Sequence, residues 1–171
     1  MGSEMCIRDS VVRRGEGQPV LMIHGASGNL REFSFTLAPH LEDAPVELIM
    51  VDRPGHGYSG RFGEAYALGE QARAMAAAVQ AGGGEPVVVV GHSFGGAVAL
   101  RFALDYPELT RGVVLSAPVT HDWGSGGVTW YNKIASIPAI GHAFSQFAPL
   151  VGPDIARSSL ESLFSPAPVP E

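Results

Sequence analysis

Four consecutive valines, Val87 to Val90, run straight into Gly91-His92-Ser93-Phe94-Gly95-Gly96, and this junction limits the possible folds more than any other segment. A short apolar run bounded by turn residues is the pattern of a strand buried on both faces, as in parallel sheets covered by helices. A helical stretch, Gly95–Tyr106, follows and stops near Pro107. A serine between such a strand and helix sits on a turn so tight that side chains two residues to either side would collide, and Gly91 and Gly95 supply the room. The hydroxyl is lifted above the carboxyl edge of the sheet. It lies beside a helix N-terminus, where developing negative charge is favoured. The same spelling also arises as a Gly-rich turn with an incidental serine; the flanking strand and helix favour the catalytic reading.

The rest of the chain repeats the alternation. Val11–Arg14 and Pro19–Ile23 read as short strands around the turn Gly15-Glu16-Gly17. Leu30–Leu41 reads as a helix, with Asn29 as N-cap and Phe33, Leu37 and Leu41 at four-residue spacing. Val46–Val51 is a strand ending at Asp52. From Ala65 to Ala81 a helix carries Leu68, Ala72, Met75, Ala76 and Val79 on one face, and Gly82-Gly83-Gly84 ends it. Arg111–Ser116 is a further apolar strand. Strand and helix in alternation predict an α/β fold with a mostly parallel sheet flanked by helices. The organisation expected is a core over 11–118 and a partial helical cap with a Pro-rich end over 119–171. The cap's helical stretches fall near Thr129–Ala135, Gly141–Phe147 and Pro153–Phe164. Residues 1–10 fit neither strand nor helix and read as non-native or disordered.

Charge and cysteine content remove several function classes. Seventeen acidic residues against eleven Lys and Arg give a net charge of −6, and the basic residues are scattered, so no nucleic-acid partner is expected. The single cysteine rules out an internal disulfide framework and a Cys-based zinc cluster, and neither a metal nor a cofactor is expected. No apolar run approaches the ~18 residues of a membrane span, and no secretory h-region is visible. A cytoplasmic location is the default expectation, and oligomeric state is left open.

A second chemical signal is Leu21-Met22-Ile23-His24-Gly25-Ala26-Ser27-Gly28-Asn29, again at a strand end. An acyl-transfer serine needs backbone N–H donors aimed at the oxygen that becomes negative. One is expected from Phe94, after the serine, and the other from Ala26, where Gly25 lets the backbone approach closely. His24 and His92 are read as supporting the motifs, with His24 a structural spacer and not a general base.

Taken in order, His24-Gly25, Asp52-Arg53-Pro54-Gly55-His56-Gly57-Tyr58-Ser59 and Gly91-His92-Ser93-Phe94-Gly95-Gly96 resemble the α/β-hydrolase superfamily from about Val11 to Pro118. The resemblance implies that Asp52, Arg53 and His56 shape a loop beside the site. It also implies that a serine, where relatives acting on epoxides or halides use aspartate, directs the chemistry toward ester, thioester, amide or carbon–carbon hydrolysis. Peracid-forming relatives also use serine. By the same resemblance the segment after Pro118 corresponds to a variable cap. Its Trp123, Trp130 and Tyr131, with Ile134, Ile137, Ile140, Phe144 and Phe147, either line an apolar acyl pocket or pack the cap onto the core.

The family's triad runs Ser, then Asp or Glu, then His, and no later strand with an acid or terminal loop with a histidine is seen here. His121 with Asp122 is a poor substitute, because adjacent residues do not readily place the base between acid and serine. The chain is therefore expected to be the N-terminal part of an esterase- or lipase-like hydrolase acting on a small-molecule acyl substrate. By itself it is expected to be nearly inactive, and poorly soluble through an exposed Arg111–Ser116 edge. The competing expectation is a non-catalytic ligand-binding protein on the same fold.

Overall fold

The computed structural model describes residues 10–61 and 64–121, and in addition Asp154, Arg157 and Ser158. The chain divides into two compact units, Met1–His121 and Asp122–Glu171. The three cap helices expected from the sequence, and Trp123, Trp130 and Tyr131, lie outside the described residues, of which Asp154, Arg157 and Ser158 are helical.

The first unit is a five-stranded sheet: β1 Val11–Arg14, β2 Gln18–Ile23, β3 Val46–Val51, β4 Val87–His92 and β5 Thr110–Ser116. Its helices are α1 Arg31–Thr36, α2 Leu68–Ala81 and α3 Phe94–Asp105. The spatial order is β1-β3-β2-β4-β5, with β1 antiparallel to β3 and every other pair parallel. This is the mostly parallel, helix-flanked sheet that the alternation predicts. Two pairings, β1 with β3 and β2 with β4, depart from the order along the chain. The turn at Gly15–Gly17 does not close a hairpin, because β1 pairs with β3 (Val11 opposite Val51) and leaves β2 to run between β3 and β4.

Side-chain alternation sends the two faces of the central strands into separate clusters. Leu21, Ile23, Ile49, Val51, Val87 and Val89 pack with α2 and α3 through Met75, Val79, Val98 and Phe102. Val20, Met22, Leu48, Met50 and Val90 face α1, through Phe33, and Ala38. Burying both faces explains why the apolar runs Pro19–Ile23, Leu48–Val51 and Val87–Val90 are continuous.

Several boundaries differ from the sequence reading, most of them by one residue. The helix expected over Leu30–Leu41 is α-helical only over Arg31–Thr36 and continues as a 3₁₀ turn, Ala38–Leu41, since Pro39 has no N–H for an α-helical bond. Asn29 does cap, its Oδ1 accepting from Arg31 N at 2.9 Å, but it sits one residue before the helix's own N-cap, Leu30. α2 begins at Leu68 and not at Ala65, because Ala67 is extended and the Ala65 carbonyl accepts from the Gln71 side chain instead. At the other end Gly84 N–H returns to Val79 O at 3.1 Å, with Gly83 and Gly84 at positive φ. Ser10, grouped by sequence with the terminus, is bonded to the sheet edge: its carbonyl accepts from Asp52 N and its N–H donates to Ser59 Oγ.

β5 forms an edge on which Val113, Val114 and Leu115 are exposed. Among the described residues no helix is long and apolar enough to cross a membrane.

Candidate active site

The register of the two central strands determines what meets at the carboxyl edge of the sheet. β2 and β4 are parallel neighbours with Ile23 opposite Gly91, so the residues leaving them, His24-Gly25-Ala26 and His92-Ser93-Phe94, emerge side by side. Carboxyl ends of adjacent parallel strands are where open α/β sheets place their ligands. The loops meet closely: a Cβ built on Gly25 would lie 3.3 Å from both Ser93 Cβ and His92 Nδ1.

Ser93 occupies a turn that few residues tolerate, with φ 52° and ψ −119°. Holding a non-glycine residue at such a φ costs on the order of 1–3 kcal/mol, retained only where the surroundings enforce it. Here they do. Ser93 N–H donates to Ser116 O, and Ser93 O accepts from both Gly96 N and Val119 N, each at 3.0 Å. Gly91 and Gly95 have no space for a side chain. A Cβ on Gly91 would lie 2.7 Å from Gly96 Cα and 2.8 Å from Ala99 Cβ, and one on Gly95 would run into the Ile23 carbonyl. Ser93 is the N-cap of α3, yet its hydroxyl makes no capping bond and, among the described residues, bonds to nothing. Phe94, first residue of α3, has an N–H with no partner one turn back in the helix. Ala26 is exposed, and its N–H makes no hydrogen bond among the described residues.

Beneath the Gly25 loop lies a buried polar network. His24 is fully buried; its Nε2 accepts from Arg53 N at 3.0 Å, and its Nδ1 donates to Gly25 O at 2.9 Å. With both ring nitrogens engaged, this imidazole is not available to Ser93. Burial pushes it down to about 4, against an opposing backbone bond to Gly25, while the Arg53 charge adds to the lowering. Unfolded, a histidine titrates near 6.5. Between pH 6.5 and 4 the unfolded chain therefore binds the extra proton, and stability falls as pH drops through that window. The loss expected from this residue between pH 7 and pH 5 is about 2 kcal/mol. Urea midpoints at pH 7 and pH 5 measure it, and His24→Asn removes this pH step.

Arg53 is equally buried and donates from Nε to His24 O at 2.9 Å, from Nη1 to Gln71 Oε1 at 2.8 Å and from Nη2 to Gly25 O at 2.7 Å. Its guanidinium also lies 5.0 Å from the centre of the Phe94 ring. Burial pushes it down to about 10, partly opposed by the Glu32 carboxylate, so it keeps its charge at neutral pH. His56 Nε2 lies 2.9 Å from Ala26 O. Asp52, also buried, accepts from Leu30 N at 2.7 Å and Tyr58 N at 2.9 Å, tying the two loops together.

Glu32 is the site residue that sequence reading missed. One carboxylate oxygen lies 2.6 Å from His92 Nδ1, and the other accepts from Gly25 N at 3.2 Å. In sequence it is only an acid in the first turn of a short helix, and nothing there marks a contact sixty residues away. His121 is exposed, with its Nδ1 3.0 Å from Thr120 Oγ1; Asp122 lies outside the described residues.

Comparison with known proteins agrees with this fold. Residues 18–150 match the family described as alpha/beta hydrolase fold. The chain is 40% identical over 114 residues to the dihydrolipoyllysine-residue acetyltransferase component of the acetoin cleaving system of Cupriavidus necator, covering 66% of this chain and 30% of that protein. It is 36% identical over 128 residues to the 2-hydroxy-6-oxo-6-phenylhexa-2,4-dienoate hydrolase of Burkholderia cepacia, covering 70% and 41%. Among solved structures, the N-acyl homoserine lactonase AidH complexed with N-butanoyl homoserine superposes with a TM-score of 0.57 at 34% identity, over 66% of this chain and 42% of that one. The chain thus spans well under half the length of each of these relatives. On the family match and the shared architecture together, the chain belongs to the alpha/beta hydrolase family.

Proposed function

We propose that the protein is a serine hydrolase that cleaves carboxylic esters through an acyl-enzyme on Ser93. The observation that carries this reading is the approach of Gly25 to Ser93 at the ends of β2 and β4. It brings the loop that carries Ala26 to the enforced positive-φ turn on which Ser93 holds an uncapped hydroxyl, and the amides proposed as oxyanion donors, Phe94 N–H and Ala26 N–H, have no partner among the described residues. The serine oxygen attacks the ester carbonyl, the carbonyl oxygen takes the negative charge and accepts from the two amides, and the alcohol leaves with a proton. Water then releases the acid. The structural likeness to a lactonase supports an ester substrate, since a lactone is a cyclic ester. None of the described histidines bonds to the Ser93 hydroxyl, so in this reading the base and acid come from outside the described residues.

Identity to the dienoate hydrolase supports a second reading, hydrolysis of an oxo-dienoate by the same serine. A fluorophosphonate offered to the complete gene product tests the shared premise: the label is expected on the peptide holding Ser93. An absence of label would favour a non-catalytic binding protein. Turnover of p-nitrophenyl esters but not of an oxo-dienoate selects the first reading over the second.

A further inference from the structure

We infer that Arg53 is a positioning residue for catalysis: its buried guanidinium fixes and polarises the Gly25–Ala26 peptide so that the Ala26 N–H is presented to the oxyanion. This rests on the acyl-enzyme reading of Ser93 and extends it to a residue that the sequence assigns only to loop shape.

One peptide plane sets the direction of the Ala26 N–H. In a trans peptide the C=O and N–H point in opposite directions. The Gly25 carbonyl accepts from Arg53 Nη2 at 2.7 Å, from His24 Nδ1 at 2.9 Å and from Gly28 N at 3.2 Å. Three donors, one of them a buried cation, hold that oxygen down toward the network, so the N–H of the same plane, which belongs to Ala26, faces the opposite way. The neighbouring plane is held by the same fork, since Arg53 Nε donates to His24 O. Glu32 accepts from the Gly25 N–H, so of the two amides that flank the Gly25 carbonyl only that of Ala26 has no partner among the described residues.

Charge adds to alignment. A hydrogen bond from a cation withdraws electron density from the amide and strengthens the N–H at its other end, most of all where water is excluded. Among the described residues Arg53 makes no ion pair, and its fork donates to the His24 and Gly25 carbonyls and to Gln71 while its guanidinium lies against the Phe94 ring. Phe94 supplies the other proposed oxyanion donor. One buried cation therefore contacts the peptide that carries the Ala26 donor and the side chain of the residue that carries the other.

The test is made in the complete gene product with Arg53→Gln and Arg53→Lys. With Arg53→Gln, kcat for a p-nitrophenyl ester is expected to fall on the order of 10²-fold while KM stays within about twofold, because the interaction acts on the transition state. Inhibition by a trifluoromethyl ketone is expected to weaken in proportion to kcat/KM across the variants. Arg53→Lys, which keeps the cation but not the fork, is expected to recover about tenfold of the loss. A folded Arg53→Gln protein with unchanged kcat, or with its loss confined to KM, overturns the inference and leaves the Ser93 reading intact.

If the variants do not fold, the phosphonate adduct of the unaltered protein decides. The expected adduct has its phosphoryl oxygen bonded to Ala26 N–H, with the Gly25 carbonyl still on Arg53. An oxygen bonded elsewhere, or a Gly25 carbonyl turned away from Arg53, overturns the inference. Failure of the unaltered protein to form any adduct at Ser93 removes both readings.

Discussion

Ser93→Ala in the complete gene product is expected to lower kcat for esters by about 10⁶-fold, or roughly 8 kcal/mol of transition-state stabilisation, with KM little changed. The removed oxygen reacts and does little binding, so the loss falls on the chemical step. Residual acceleration of about 10³–10⁴ over water is expected from the amides and substrate binding alone. Initial rates with p-nitrophenyl esters measure this. The same position tests the cost of the turn: with φ at 52°, Ser93→Gly is expected to be more stable than Ser93→Ala by about 1 kcal/mol. Activity and stability are thus opposed at one residue, because the conformation that exposes the hydroxyl is one that a side chain disfavours.

The second large effect is on folding. A methyl group on Gly95 would be driven into the Ile23 carbonyl and to 2.6 Å from His24 O, both backbone atoms of the central strand and the loop after it. Neither moves without disturbing the β2–β4 ladder, so Gly95→Ala is expected to destabilise by about 3 kcal/mol or more. The control is Gly112→Ala on β5, where a Cβ meets nothing within 4 Å. That change is expected to be neutral or slightly stabilising, by a few tenths of a kcal/mol. Urea unfolding midpoints compare the two. Equal effects would show that α3 is not packed against β2 as closely as these contacts require.

The contrast between Gly95 and Gly112 also shows what the sequence made legible. Gly91 and Gly95 could be read as sterically required because strand, turn and helix are contiguous, and a local motif carries its own geometry. The core strands were legible for a similar reason: Leu48–Val51 and the valine run are apolar at every position, as burial on both faces demands. Features set by distant pairing were not. Nothing in Val11–Arg14 says that it pairs with Val51 and its neighbours and not with the strand that follows. The break after Thr36 was more accessible, since Pro39 announces it, but the spacing of Phe33, Leu37 and Leu41 spans the break and masks it.

The polar network shows the same division. Asp52, Arg53 and His56 were recognisable as a loop-shaping set from their motif. That Arg53 reaches the Gly25 carbonyl depends on the parallel register of β2 and β3, which brings the ends of both strands together. Glu32 depends on the direction in which α1 leaves its loop. Long-range register, not residue chemistry, separates the legible half of this site from the rest.

The most direct test of the serine's role is rapid quenching of the complete gene product during turnover of a p-nitrophenyl ester, followed by peptide mass analysis. The account predicts one acyl group, carried on the peptide that holds Ser93 and missing from Ser93→Ala. Ester turnover with the acyl group on another residue, or undiminished turnover by Ser93→Ala, would contradict it.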